Sequence, residues 1–160
     1  MDKKEQVIAW LADAHAMEMS IVEVLERHMK DAESQPDIAG KLKEHLEQTK
    51  EHAQKVEACL TRLGGDPSAA KDVLSKAMGM IKGMSTDVYG DQLVKNIIAE
   101  HTTEHFEMAC YASLIAAAEE IGDQETAQTA REILKEEEQM AMWTEGQIGK
   151  ITKLHLSTLD

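Results

Sequence analysis

The chain has 160 residues, 42% hydrophobic and 29% charged, a composition that predicts one globular domain over residues 1–160. Its net charge of −13 argues against nucleic acid as a partner, because affinity for phosphates comes mainly from Lys and Arg. Aromatic residues make up only 3%, which favours helices over a β-sandwich or barrel, and no apolar run approaches the ~18 to 20 residues that cross a membrane.

Four amphipathic helices are predicted from apolar residues that recur at alternating steps of three and four. The first covers residues 3–32, and the second covers residues 36–63, with Pro in its first turn and a Gly pair after its end. The third covers residues 91–121 and the fourth residues 123–153. Short loops within each pair predict two antiparallel hairpins, which together make an all-α four-helix bundle.

Residues 66–90 are too long for a simple loop and predict a crossover between the two hairpins. Its middle has the spacing of a short amphipathic helix, with apolar residues Val73, Leu74, Ala77, Met78 and Ile81. The methionines of this segment are interpreted as adaptable packing, and the alternative is a surface for a partner protein.

The apolar stripe of each predicted helix is interrupted near its midpoint by a polar side chain. Glu18 interrupts the first helix, His45 and His52 the second, Glu104 the third and Glu137 the fourth. Since helices rise by about 1.5 Å per residue, these positions fall in one layer of an antiparallel bundle. His15 and His101 each lie three residues before the Glu of their helix, on the same face.

Three buried carboxylates in one layer would repel one another, and each would cost several kcal/mol to bury unpaired. The layer contains no Lys or Arg, so a bound metal is the simplest compensation, and Glu oxygens with His nitrogens suit Fe or Mn and also Zn. The alternative interpretation is structural: the polar residues fix helix register, and the carboxyl groups stay protonated or reach water.

The remaining polar residues are interpreted as surface groups. His28 is expected to be partly exposed near a helix end, while Glu100 and Glu136 are expected to face solvent. His105 lies one residue off the stripe and has no assigned role. The sequence contains no nucleophile–base arrangement, P-loop or GxGxxG motif, so no catalytic residue is predicted.

Several segments resemble the YciE/YciF family of ferritin-like proteins, and the resemblance covers nearly the whole chain. Its most specific parts are EHFEMACY and the HLEQTxxH run of the second helix. The resemblance implies a ferritin-like bundle, which agrees with the four helices and the helix-bearing crossover predicted above. It also implies a stress-associated protein, a homodimer and a metal centre.

In the wider ferritin and rubrerythrin superfamily, four helices supply Glu and Glu-x-x-His ligands. Carried over by position, the resemblance implies metal ligands at Glu18, His52, Glu104, Glu107 and Glu137. His15, His45 and His101 would orient these ligands or shuttle protons.

Two positions depart from the superfamily pattern. Thr49 stands where the second helix should carry Glu, and Met140 stands where the fourth should carry His. Both are poor ligands for hard Fe or Mn ions. Glu107 and His45 would partly compensate, which leaves three alternatives: an asymmetric two-metal site, a single-metal site, or an empty vestigial pocket.

The leading hypothesis is a cytoplasmic stress protein that handles iron or peroxide, with one or two Fe ions, or Mn or Zn, and peroxide or O2 as the oxidant. The cytoplasmic assignment follows from two free cysteines without zinc-site spacing and from an N-terminus whose apolar stretch is broken early. The alternative is a non-enzymatic helical stress or interaction protein that acts through dimerisation or the methionines of the crossover, Met78, Met80 and Met84.

Overall fold

The computed structural model describes residues 1–69, 79 and 90–159. Within these residues the chain forms four long helices: α1 (Lys3–Asp31), α2 (Pro36–Leu63), α3 (Gln92–Glu120) and α4 (Gln124–Leu156). A short 3-10 turn at Pro67–Ala69 follows α2. In the described parts of the chain, none of the helices has the length and apolar character that a membrane span requires.

The helices pair as two antiparallel hairpins, α1 with α2 and α3 with α4, and the hairpins meet along α1–α3 and α2–α4 contacts. The predicted all-α, ferritin-like four-helix bundle is therefore confirmed. The helix predicted around residues 73–81 lies outside the described residues, as do Met78, Met80 and Met84.

Local sequence signals explain where the helices begin and end. Asp2 and Glu5 form a reciprocal capping box at the start of α1. Gly64 ends α2 in the left-handed conformation, with φ at 91°, where a side chain would be strained. Asp123 caps α4 and forms an ion pair of 2.7 Å with Arg62, which ties the end of α2 to the start of α4.

The buried faces of α1, α2 and α4 match the predicted stripes closely, but that of α3 does not. Counted from Glu104 by steps of three and four residues, the predicted stripe on α3 includes His101 and Met108, which are only half-buried. The buried face instead contains Glu100, Glu107 and Leu114. The third helix is thus rotated from the predicted orientation, because polar residues on several of its faces left the apolar stripe poorly defined.

Two predictions about exposure were wrong, and the two residues concerned contact each other. Glu100, expected in solvent, is 1% exposed, and His28, expected to be partly exposed, is fully buried. The two side chains form a buried hydrogen-bonded pair between α1 and α3. Each therefore compensates for the burial of the other.

Candidate metal centre

The middle of the bundle contains six buried His and Glu side chains drawn from all four helices. They form two groups whose candidate donor atoms lie within 4.8 Å of one another, and Glu137 belongs to both. The first group consists of His45, Glu104, Glu107 and Glu137, and the second of Glu18, His52 and Glu137. All six are fully buried. The structure thus brings together every residue predicted as a ligand, and it adds His45 to them.

The first group joins α2, α3 and α4. His45 Nε2 lies 3.2 Å from Glu104 Oε1 and 3.7 Å from Glu137 Oε2. Glu107 is one turn further along α3, on the face that carries Glu104. His45 was predicted to orient ligands, yet its ring nitrogen lies among the carboxylate oxygens themselves.

The second group joins α1, α2 and α4. His52 Nδ1 lies 2.7 Å from Glu137 Oε1 and 3.9 Å from Glu18 Oε2. The shorter separation is a close ion-pair contact that lacks hydrogen-bond alignment. The opposite nitrogen, Nε2, donates to Glu136 Oε2 at 2.8 Å, and this bond fixes the ring so that Nδ1 faces the centre. Tyr111 donates its hydroxyl hydrogen to Glu18 Oε1.

Many polar atoms in this layer are buried without a hydrogen-bond partner among the described residues. They include both carboxylate oxygens of Glu104, Glu107 and Glu137, one oxygen of Glu18, both nitrogens of His45 and Nδ1 of His52. Buried polar groups are nearly always satisfied, so such a cluster has the chemistry expected of side chains that hold a cation. The donor set suits Fe, Mn or Zn, and four carboxylates balance the charge of two divalent cations.

Burial is the main cause of raised pKa values in three of the carboxyl groups. It raises the pKa of Glu18 to about 8 and raises the pKa values of Glu104 and Glu107 well above the usual carboxyl range. Repulsion by Glu137 acts in the same direction on all three. The pKa of Glu137 is itself lowered, because the two nearby histidines outweigh its burial.

The pKa values of the two histidines are raised, although burial alone lowers the pKa of an imidazole. Burial by itself lowers the pKa of His45, but the negative charges of the nearby Glu104 and Glu137 raise that pKa to about 10. For His52, burial is likewise outweighed by Glu137 and Glu18, and the pKa is raised. A cation that binds here must displace protons from both residue types.

We expect the metal-free protein to lose stability as the pH rises from about 6 to about 9, by about 2 kcal/mol or more. The raised pKa values of Glu18 and His45 mean that the folded state holds protons that the unfolded state has released, so unfolding becomes easier at higher pH. Urea denaturation in the presence of EDTA at several pH values measures this slope.

The variant Glu18→Gln is the control for that experiment, because the amide keeps an acceptor for Tyr111 but does not titrate. Its stability should fall less steeply with pH than that of the wild type. A wild-type stability that stays level or increases over the same range would contradict the assignment of protons to these groups.

The two departures from the superfamily pattern have a structural explanation. Thr49 donates its hydroxyl hydrogen to the carbonyl oxygen of His45 at 3.0 Å, so it is satisfied by its own helix. His45, one turn before Thr49 on the same face of α2, supplies a donor atom near the position that the missing Glu would occupy. Met140 is buried as part of the apolar core.

Two of the three predicted orienting histidines lie apart from the centre. His15 is half-buried, and its Nε2 lies 3.9 Å from Glu57 on α2. His101 is bonded to the Thr144 hydroxyl at 3.0 Å, and its ring meets that of His105 edge-on. Within the described residues, neither candidate ligand group includes His15 or His101.

Two contacts to the centre were missed by the sequence analysis. Glu136 was predicted to be a solvated surface charge, but its side chain is only 32% exposed. It lies on α4 and accepts a hydrogen bond from His52 on α2. Tyr111 continues the predicted stripe of α3 three residues after Met108, and that pattern assigns no role to the hydroxyl group that bonds Glu18. A buried Tyr hydroxyl group usually has a hydrogen-bond partner, so the sequence could have indicated a polar contact for Tyr111.

Comparison with known proteins places this geometry in context. A family model described as a domain of unknown function (DUF892) matches residues 2–157. A crystal structure from Xanthomonas campestris pv. campestris has 29% sequence identity and a TM-score of 0.83, covering 99% of this chain and 98% of that one.

Two further solved structures share the fold at lower identity. The Escherichia coli stress protein YciF has 18% identity and a TM-score of 0.76, with 96% of this chain and 98% of that chain covered. A Desulfovibrio desulfuricans bacterioferritin, whose structure includes a diiron site, has 21% identity and a TM-score of 0.77. The match covers 96% of this chain and 84% of the bacterioferritin.

Proposed function

The chain belongs to the DUF892 family of ferritin-like, YciF-like proteins, and from this membership and its buried centre we propose that it is a metal protein. The proposed role is iron or peroxide handling during stress, with Fe as the ion and Mn or Zn as substitutes. The observation that carries the proposal is the set of buried carboxylate and imidazole atoms without hydrogen-bond partners, gathered from four helices in one layer.

Each donor residue has a distinct position in the proposed centre. Glu137 is the shared ligand, since it lies in both groups of donor atoms. Glu104 and Glu107 complete one side with His45, and Glu18 completes the other side with His52, as described above. A bound iron ion at this centre would supply electron exchange with peroxide or O2.

The surrounding side chains orient the donors and control protons. Glu136 holds Nε2 of His52, so that a deprotonated Nδ1 presents its lone pair to the centre. Tyr111 holds one oxygen of Glu18 and leaves the other free to act as a donor. The whole layer is sealed from solvent, which strengthens the attraction between a cation and the carboxylates.

The proposal includes a homodimer located in the cytoplasm, with peroxide or O2 as the small oxidant. Support for the dimer comes from the family resemblance, and support for the compartment comes from the two free cysteines. Light scattering of the purified protein measures the oligomeric state, and a monomer would contradict that part of the proposal.

We expect protein purified without a metal-chelating tag, and then loaded anaerobically with Fe(II), to hold up to about two Fe per chain by elemental analysis. Addition of peroxide or O2 should then consume the bound Fe(II) faster than free Fe(II) under the same conditions. Buffered Fe(II) without protein is the control for the oxidation.

An absence of bound Fe, Mn or Zn after anaerobic loading would overturn the proposal. The buried carboxyl groups would then be structural, and the protein would be a non-enzymatic helical stress protein with a vestigial pocket. Stoichiometric binding without accelerated oxidation would keep the metal centre and reject the redox role.

A further inference from the structure

The buried face of α3 carries a polar side chain at every turn from its first turns to the middle of the bundle. Asn96, Glu100 and Glu104 follow one another at intervals of four residues, and Glu107 continues the row by three. Each interval of four residues advances about 6 Å along the helix. All four side chains are buried. The row therefore links the centre to the end of the bundle where α3 begins.

At that end the row reaches solvent through an acidic side chain. Asn96 Nδ2 donates to Asp31 Oδ2 at 2.9 Å, and Asp31 at the end of α1 is exposed. The side-chain oxygen of Asn96 accepts from Gln92 Nε2 at 2.6 Å. An exposed carboxylate on a chain of net charge −13 attracts cations to this position.

Between the surface and the centre lies the buried pair of Glu100 and His28. Glu100 Oε1 bonds His28 Nδ1, but Glu100 Oε2 is buried and has no hydrogen-bond partner. A carboxylate beside an imidazole is also the arrangement of His45 with Glu104 and of His52 with Glu137 in the centre. The pair thus repeats the donor chemistry of the centre one helical turn away.

The opposite half of the bundle is different. Beyond Tyr111, the buried face of α3 continues with Leu114 and Ala118, and α2 presents Val56 and Leu60 at the same end. These apolar side chains belong to the hydrophobic core and provide no donor atoms for a cation. Access for a charged species is therefore favoured from the end that contains Asp31 and Asn96.

We propose that Glu100, with His28, forms a transient site for divalent transition-metal cations, through which metal passes from Asp31 and Asn96 to the central carboxylates. The inference rests on the proposed metal-binding function. A cation that enters along this row passes from the carboxylate of Asp31, past the amide of Asn96, to the carboxylates of Glu100 and Glu104, so a polar side chain is present at each turn of α3. Once the central ligands hold the ion, Glu100 returns to its pair with His28.

The test is the rate at which metal-free protein takes up Co(II), followed by stopped-flow absorption, with elemental analysis at the end point. Glu100→Gln should reach the same Co(II) content as the wild type but at a rate lower by about tenfold or more. Glu51→Gln removes an exposed carboxylate elsewhere on the surface and should load at the wild-type rate. Asp31→Asn, at an exposed position that does not endanger folding, should slow loading by a smaller factor.

The possible outcomes distinguish a failure of the proposed entry route from a failure of the proposed metal centre. Wild-type loading rates in both Glu100→Gln and Asp31→Asn, with full Co(II) content, would overturn the route and leave the metal centre intact. A lower final Co(II) content in Glu100→Gln would make Glu100 a permanent ligand and overturn the transient assignment. A wild-type protein that binds no Co(II) would overturn the route together with the proposed function.

Discussion

Glu137→Ala is expected to lose both metal ions, whereas Glu18→Ala and Glu104→Ala are each expected to lose one. Glu137 is the residue shared by the two groups of donor atoms, while Glu18 and Glu104 belong to one group each. Elemental analysis after anaerobic loading with Fe(II) should therefore give about two Fe per chain in the wild type, about one in either single-group variant and almost none in Glu137→Ala. The pattern across the three variants is the informative result, because a merely unstable centre would lose metal equally in all of them.

Glu51→Ala serves as the matched control, since Glu51 is an exposed carboxylate on α2 that belongs to neither group of donor atoms. It should retain the wild-type metal content. Circular dichroism of each variant checks that the helices are intact before metal is measured. Retention of one Fe in Glu137→Ala would show that the two groups do not depend on a common ligand, and it would reject the role of Glu137 as the shared ligand.

The fold was predictable because its signals are local and repeated. The apolar stripes of α1, α2 and α4 recur over many turns, and Pro36 and Gly64 lie at the ends of a helix as propensity requires. Loops too short for any other arrangement then give antiparallel hairpins. No long-range information was needed for this part of the structure.

The location of the candidate centre was predictable for a related reason. A Glu or His in the middle of an otherwise apolar stripe identifies both a depth and a face of the helix, so residues on separate helices can be assigned to one layer. Glu18, His52 and Glu137 were found in this way, and the structure places them together. The resemblance added Glu107, which no apolar stripe had indicated.

The contacts around the centre were less predictable, because they depend on how each helix is rotated. On α3, Glu100 and His101 are adjacent in sequence but lie about 100° apart around the helix, and the stripe could not decide which is buried. The structure buries Glu100, and it leaves His101 half-buried beside Thr144. Similarly, the bond from His52 to Glu136 depends on the relative rotation of α2 and α4, which no single-helix pattern contains.

Glu107→Met is expected to stabilise the metal-free protein by about 1–3 kcal/mol, even though it removes a predicted ligand. Both oxygens of Glu107 are buried without a hydrogen-bond partner, and burial raises the pKa of the group well above the usual range, which favours its protonated form. Methionine is of similar length and leaves no orphaned polar atom at that position. Urea denaturation in the presence of EDTA measures the change in the free energy of unfolding.

Glu137→Met provides the contrast, because it should destabilise the metal-free protein by about 3–5 kcal/mol. Glu137 lies 2.7 Å from His52 and 3.7 Å from His45, so its loss removes the carboxylate nearest to His52 and one of the two carboxylates beside His45. With saturating metal the effect of Glu107→Met should reverse, since a ligand that binds the folded state better in the wild type stabilises the wild type more.

If Glu107→Met destabilised the metal-free protein, the Glu107 carboxyl group would have to make a favourable hydrogen bond in the folded bundle. The centre would then be a self-satisfied polar core, in which a cation is not needed to explain the burial of four carboxyl groups.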